Sequence, residues 1–184
     1  MWGLDEIEAT FASIESRIGK RLHAHTAAKS AVADMRTARE ALRKTILEHG
    51  QANATTLAST KAVFDGHWKA FEDSVQAYLD AVGKQVREQE SVFRVRADAQ
   101  SKAWQEAIER LHKSATSLAT DRHGDIEAAV KRLESEAGAA KAKLDTLNKA
   151  EGASWVAMKA ALTETRAALD QAHRAVLDTL GRGG

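Results

Sequence analysis

The chain has 184 residues and contains neither Pro nor Cys, and its mixture of Ala, Leu, Glu, Lys and Arg strongly favours helix. A sequence without Cys has no disulfides, no thiolate metal site and no cysteine nucleophile. Aromatic residues make up only 5% and the net charge is +1, which argues against a bulky globular core and against a uniformly basic nucleic-acid-binding surface.

The first predicted helix covers residues 4–49. Its apolar residues recur at alternating steps of three and four, the a/d pattern of a helical seam. The signals for its end and for the start of the next helix are Gly50 and Asn53 in the polar segment EHGQANATT. The residues that define the seam most clearly are Leu4, Ile7, Phe11, Ile14 and Ile18.

The second predicted helix covers residues 54–121 and the third covers 125–180, with a short tail at 181–184. The apolar pattern of the second helix continues across Gly66 and Gly83, so both glycines are interpreted as tolerated within it. Asp125 is suited to cap the third helix. An eleven-residue apolar spacing passes over this turn, so the alternative is a helix continuing through residue 124, with a break at 148–152.

These elements predict an all-α protein, a coiled-coil-like, elongated antiparallel bundle of three long helices that forms a single domain over residues 1–184. Because the three helices differ in length, part of the second lacks intrachain partners, and we expect a homo-oligomer or a complex with another helical protein. No run of about 18 apolar residues predicts an integral membrane span. Acidic residues occupy the place of a signal peptide's basic region, so we expect a cytoplasmic protein.

Large side chains at heptad spacing predict a packing seam. Trp104 and Trp155 are each followed by Leu after seven and fourteen residues, which keeps all three side chains on one helix face. A tryptophan in an Ala-rich seam fills the space that small neighbours leave, so packing is favoured over the alternative of ligand stacking. The predicted seam consists of Trp68, Trp104, Leu111, Leu118, Trp155, Leu162 and Leu169.

Basic residues cluster in the second half of the first predicted helix. They predict a stripe able to hold an anionic surface such as lipid or nucleic acid weakly; the competing interpretation is a solvated face or neutralisation by acids on neighbouring helices. The residues of this basic stripe are Lys29, Arg36, Arg39, Arg43 and Lys44.

No motif predicts catalysis, a cofactor or a metal. Glu109 and His112 have the spacing of a di-iron ligand pair but lack the second such pair that this site requires. The group Asp121, His123 and Asp125 offers metal-ligand types, yet polar turns favour the same residues. Glycines occur singly rather than in a phosphate-binding loop. We therefore expect no catalytic residues, no cofactor and no metal.

The segment AKAKLDTLNKAEGASWVAMKAALTETRAALDQAHRAV, within residues 139–176, resembles the C-terminal part of small bacterial coiled-coil stress-response proteins. The Ala-rich composition without Pro or Cys is similar to that of phasins, which coat bacterial polyester granules. These resemblances imply a non-catalytic structural or scaffolding protein acting through helix–helix contacts, with stress protection as one role. The alternative is a phasin-like coat on a hydrophobic inclusion or an anionic membrane.

Overall fold

A computed structural model describes most of the chain. The described residues are 3–19, 26–49, 54–83, 85–116, 123–150 and 152–181. Within them the chain forms six helices: α1 (Gly3–Gly19), α2 (Thr26–His49), α3 (Ala54–Ala81), α4 (Val86–Thr116), α5 (His123–Lys149) and α6 (Trp155–Gly181). The prediction of an all-α helical bundle is confirmed, and the prediction of an elongated bundle of three long helices is wrong.

The predicted helix over residues 4–49 is divided into α1 and α2. Arg43 Nη1 lies 4.0 Å from Glu8 Oε1. In one straight helix these residues would be roughly 50 Å apart at 1.5 Å per residue. Helix α2 therefore runs back along α1, and residues 20–25 lie outside the described residues. The predicted boundary at residues 49 and 54 is confirmed, because α2 ends at His49 and α3 begins at Ala54.

The predicted helix over residues 54–121 is divided at Gly83. This residue has a φ of 80°, a left-handed conformation that favours glycine, and its N–H donates to the Asp80 carbonyl at 3.1 Å. Arg96 on α4 binds Glu72 on α3, although a straight helix would separate them by roughly 36 Å. Gly83 therefore ends a helix, whereas Gly66 lies inside α3 as predicted.

The predicted helix over residues 125–180 is divided between α5 and α6. Gly152 has a φ of 76°, and the Ser154 hydroxyl accepts a hydrogen bond from the Ala157 N–H at 3.2 Å, the geometry of a helix N-cap. Lys143 on α5 pairs with Glu164 on α6 across this turn. This break agrees with the alternative interpretation of the sequence, which placed a break at 148–152.

The same alternative, a helix continuing through residue 124, is wrong. His112 Nε2 lies 3.3 Å from Glu134 Oε1, so α4 and α5 run back along each other. A straight helix would hold these residues roughly 33 Å apart. Helix α5 begins at His123, two residues before the predicted start. The segment 117–122 lies outside the described residues.

The chain divides into two compact units, Met1–Arg96 and Ala97–Gly184, and α4 begins in the first and ends in the second. Each unit has an apolar core whose members recur at helical spacing, and burying one large apolar side chain contributes about 1.5–3 kcal/mol. Alanines fill many buried positions, which lets helix backbones approach closely. Large core residues of the first unit include Ile7, Phe11, Met35, Leu42, Phe71 and Phe93; those of the second include Trp104, Leu144, Met158 and Leu162.

In the part of the chain that the structure describes, none of the helices combines the length and the apolar character needed to cross a membrane.

Candidate functional site

A buried ion cluster formed by Glu6, Glu72 and Arg96 lies within the first unit. The Arg96 side chain is 1% exposed, and its Nε donates to Glu6 Oε1 at 2.7 Å. Its Nη1 donates to Glu72 Oε2 at 3.1 Å, and its Nη2 donates to the other oxygen of the same carboxylate. Arg96 therefore makes a two-pronged contact with α3 and a single contact with α1, so one guanidinium joins three helices.

The charge of Arg96 is strongly stabilised. Burial alone lowers the pKa of this guanidinium, but the charges of Glu6 and Glu72 and their hydrogen bonds outweigh burial and raise the pKa above its ordinary value. A raised folded-state pKa contributes stability that is complete below the unfolded-state pKa and is lost only as pH rises through the folded value. Arg96 thus stays charged at neutral and acidic pH.

A second ionic contact joins α1 to α4 within the same unit. Arg17 Nη1 donates to Glu88 Oε2 at 3.0 Å, and Arg17 Nη2 donates to the Ser91 hydroxyl. The Tyr78 hydroxyl lies 3.4 Å from the same Glu88 oxygen. Glu88 is 8% exposed and Arg17 is 34% exposed. This contact carries the opposite arrangement of charges to the ion cluster, with the base on α1 and the acid on α4.

The two contacts together specify how α1 lies on α4. In the observed antiparallel arrangement Glu6 meets Arg96 and Arg17 meets Glu88. Reversing α1 would place acid against acid and base against base, and a shift of one turn would leave buried charges unpaired, which is costly. The charges therefore select one direction and one register for α1.

The second unit uses an uncharged polar contact. Gln100 on α4 donates from Nε2 to the Leu162 carbonyl of α6 at 2.9 Å. Its side-chain oxygen accepts a hydrogen bond from the Thr165 hydroxyl. Both side chains are buried, at 3% exposure each. A buried amide with both ends bonded fixes the position of α6 on α4 as the ion cluster fixes α1.

The predicted basic stripe lies on α2, where most of its charges face acids. Arg36 Nη2 lies 2.5 Å from Glu15 Oε1, and Arg43 lies 4.0 Å from Glu8. Lys44 Nζ is 3.8 Å from Glu48 within the same helix. Lys29 is exposed and has no ion pair among the described residues. Acids from α1 and α2 therefore partly neutralise the stripe.

Arg39 is the least exposed member of the stripe, at 18%. Its guanidinium carbon lies 4.4 Å from the centroid of the Phe11 ring, a cation–π distance, and its Nη2 is 2.6 Å from Glu40 Oε1. The hydrogen bond with Glu40 raises the pKa of Arg39 and lowers the pKa of Glu40. This pairing is therefore present above the unfolded-state pKa of Glu40 and is lost as pH falls through the folded-state value.

The residues of the predicted packing seam lie in different helices. Trp104 is 2% exposed and Trp155 is 9% exposed, and the three leucines at 111, 162 and 169 are buried. Trp68 is half-buried beside Phe64, with ring centroids 6.2 Å apart. Leu118 lies outside the described residues. The members on α4 and α6 all lie in the second unit, whereas Trp68 on α3 lies in the first.

Trp104 differs from an ordinary core residue in one respect. Its indole Nε1 is buried, and among the described residues no hydrogen-bond acceptor contacts it. A buried N–H without an acceptor costs about 1–3 kcal/mol. The apolar area of the ring offsets this cost, since a buried aromatic side chain removes a large surface from water.

The candidate metal ligands lie partly outside what the structure describes, which leaves out Asp121 and the side chain of His123. His112 contacts Glu134 on α5 rather than Glu109. Across the described ranges, no group of three or more His, Asp or Glu side chains is placed to hold a metal ion. An open groove of the second unit, lined by residues including Asp125, Arg132 and Ala172, is mostly walled by small apolar side chains.

Comparison of the chain with protein-family models, curated proteins and solved structures gave no match. The arrangement of its own residues is therefore the basis for assigning a role.

Sequence reasoning missed the buried polar residues. Arg96 lies three residues after Phe93 and four after Val92, within an apolar track, and a charged residue in such a position signals a buried partner. The same signal marks Glu6 beside Ile7 and Gln100 one turn after Arg96. Finding the partners of these residues requires knowing where the helices turn back.

Proposed function

We propose that the protein is a non-catalytic scaffold that acts through helix–helix contacts, with a second copy of the chain or another helical protein as its partner. One observation supports this most directly. Several polar side chains buried in the described helices join one helix to another, as Arg96 does with Glu6 and Glu72. These hydrogen bonds and ion pairs hold neighbouring helices in place.

A scaffold needs helices whose direction and register are fixed. Buried ion pairs are weak contributors to stability, because removing charges from water is costly, but buried polar residues can specify which way helices pair. The contacts of Arg96 and Gln100 are of this kind in their respective units. Outside the cores, helices present small residues and ion pairs four residues apart, the surface of a helix that packs against others.

The setting of this role is the cytoplasm, where a chain without cysteine folds without needing disulfides. A part in stress protection rests on the resemblance of residues 139–176 alone. The alternative is a phasin-like coat on a hydrophobic inclusion or an anionic membrane, and binding to an anionic membrane would require free cations on α2. The pairing of Arg36 with Glu15 and of Arg43 with Glu8 favours the scaffold over the anionic-membrane form of this alternative.

Sedimentation velocity of the purified chain over a roughly hundredfold range of concentration tests the proposal, because self-association depends on concentration by mass action. A sedimentation coefficient that rises with concentration supports a self-associating scaffold. Parallel sedimentation with polyester particles and with anionic vesicles tests the coat. Particle-bound protein together with a monomer at every concentration would replace the scaffold with the coat.

A further inference from the structure

One exposed face of α3 carries a row of charges with alternating sign. The four residues are four positions apart and therefore follow one ridge of the helix. All four side chains are exposed by more than half. This charge row consists of Lys61, Asp65, Lys69 and Asp73.

The charge row is complementary to itself when reversed. If a second copy of α3 lies antiparallel on the first, Lys61 of each copy faces Asp73 of the other, and Asp65 faces Lys69. All four charges of each copy then meet an opposite charge. A parallel arrangement in the same register would instead place each charge against its own kind, which is unfavourable. The pattern selects an antiparallel, two-fold symmetric contact.

Existing ion pairs within α3 do not use up this capacity. Lys69 Nζ lies 2.5 Å from Asp73, and Lys61 pairs with Asp65. A lysine ammonium has three donors and a carboxylate has two acceptor oxygens, so each group can bind a neighbour on its own helix and a group on a partner. An antiparallel partner would extend two isolated pairs into a network.

The ridge beside the charge row allows close approach. Ala62, Gly66 and Ala70 are exposed and form a second row at the same spacing. A Cβ atom built at Gly66 would meet nothing within 4 Å, so the surface there is open. Val63, which is 48% exposed, adds an apolar side chain beside this row. A partner ridge can therefore enter the shallow groove between the two rows.

We propose that the exposed face of α3, residues 61–73, binds the same face of a second copy in antiparallel orientation. This inference rests on the proposed scaffold and names the surface that it uses. The charges that align the two copies are exposed at the rim, so the association weakens as salt rises. The contact is limited to one helix per copy, so it is of the weak, concentration-dependent class.

Two variants whose charge rows have opposite signs test the alignment. Lys61→Glu with Lys69→Glu makes the row wholly acidic, and Asp65→Lys with Asp73→Lys makes it wholly basic. Each variant alone should sediment as a monomer at concentrations where the unmodified chain associates. An equimolar mixture should restore a dimer, because unlike rows then face each other. Circular dichroism of each variant verifies that its helices are retained.

A third variant tests the groove. Gly66→Leu places a large side chain in open space, so it should preserve or raise helix stability while lowering association at least tenfold. Gly138→Leu, at an exposed glycine of α5 that also has open space, is the steric control. The charge control is Lys102→Glu with Arg110→Glu on α4. The exposed positions beside these two residues hold Gln105 and Glu109, which are larger than the alanines and glycine beside the charge row. Neither control should change the association constant.

The outcomes distinguish failure of the α3 contact from failure of the proposed scaffold. If the unmodified chain associates and the α3 variants associate equally well, or if the mixed variants stay monomeric, the α3 contact is overturned and self-association must use another surface. If the unmodified chain is monomeric at every concentration and the mixture is too, both the contact and the self-associating scaffold are overturned.

Discussion

At the scale of single residues, Arg96 is the largest fully buried side chain in the described part of the chain. Its guanidinium is almost wholly removed from water, and two carboxylates from different helices bind it. A buried charge that keeps its partners contributes little net stability, whereas the same charge without partners is strongly destabilising. Removing Arg96 should therefore destabilise the fold chiefly by leaving its charge missing beside Glu6 and Glu72, rather than by loss of apolar packing.

We predict that Arg96→Met lowers the free energy of unfolding by about 3–5 kcal/mol, because it leaves two carboxylates without their counter-ion. Arg96→Lys should cost less, since it keeps the charge but loses the two-pronged contact. Urea denaturation followed by circular dichroism measures both effects. The control is Arg110→Met at a 58% exposed ion pair, with an expected change of about 1 kcal/mol or less. Equal effects at both sites would contradict the importance of burial.

Trp104 provides a second test at this scale. Trp104→Ala should lower the free energy of unfolding by about 3–5 kcal/mol, because it leaves a cavity in the core. Trp104→Phe should cost about 1 kcal/mol, since it removes less volume and also removes an indole N–H that has no acceptor among the described residues. Denaturation midpoints of the two variants measure the difference. A Phe variant as unstable as the Ala variant would show that the N–H makes a needed hydrogen bond.

At the scale of helices, the turns decide the fold. Helical content and the boundary at residues 49 and 54 could be predicted, because composition and turn residues report them directly. The turn at Gly83 could not, because the apolar pattern has the same period in both antiparallel helices. Periodicity reports which face of a helix is apolar, but it carries no information on the direction of the chain. The ion cluster could not be predicted either, because Glu6 and Arg96 meet only when the directions of all four helices are known.

The glycines allow this interpretation to be tested. Gly83→Ala should lower the free energy of unfolding by about 1–2 kcal/mol, because a side chain disfavours the left-handed conformation that Gly83 adopts. Gly138→Ala, inside α5 and facing open space, should raise it by about 0.5–1 kcal/mol. Thermal denaturation of both variants measures the contrast. The turn would not require glycine if both substitutions were stabilising.

At the scale of the whole molecule, the charges are abundant but balanced. Charged residues form 29% of the chain, yet the net charge is only +1. Many of the exposed charges that the structure describes lie within ion-pair distance of an opposite charge, so the field at a distance is weak. We therefore expect short-range contacts rather than long-range attraction to govern binding.

Vesicle binding tests this expectation. At about 50 mM salt, where electrostatic attraction is only partly screened, the protein should stay in the supernatant with anionic vesicles. A triple variant with Arg36, Arg39 and Arg43 replaced by Gln should behave identically, but its denaturation midpoint should fall because pairs with Glu8, Glu15 and Glu40 are lost. Binding that the triple variant loses, at unchanged stability, would instead establish an anionic-surface role.

The pairing of Glu6 with Arg96 also sets an order of events during synthesis. The two residues are 90 positions apart, so Glu6 leaves the ribosome well before its partner has been made. At about 5–20 residues per second, the delay is roughly 5–20 seconds. During that interval Glu6 cannot bind the guanidinium of Arg96, and the docking of α1 onto α4 must follow the emergence of Arg96. Helix α1 is thus translated before the other helices of its unit and is among the last of them to reach its final place.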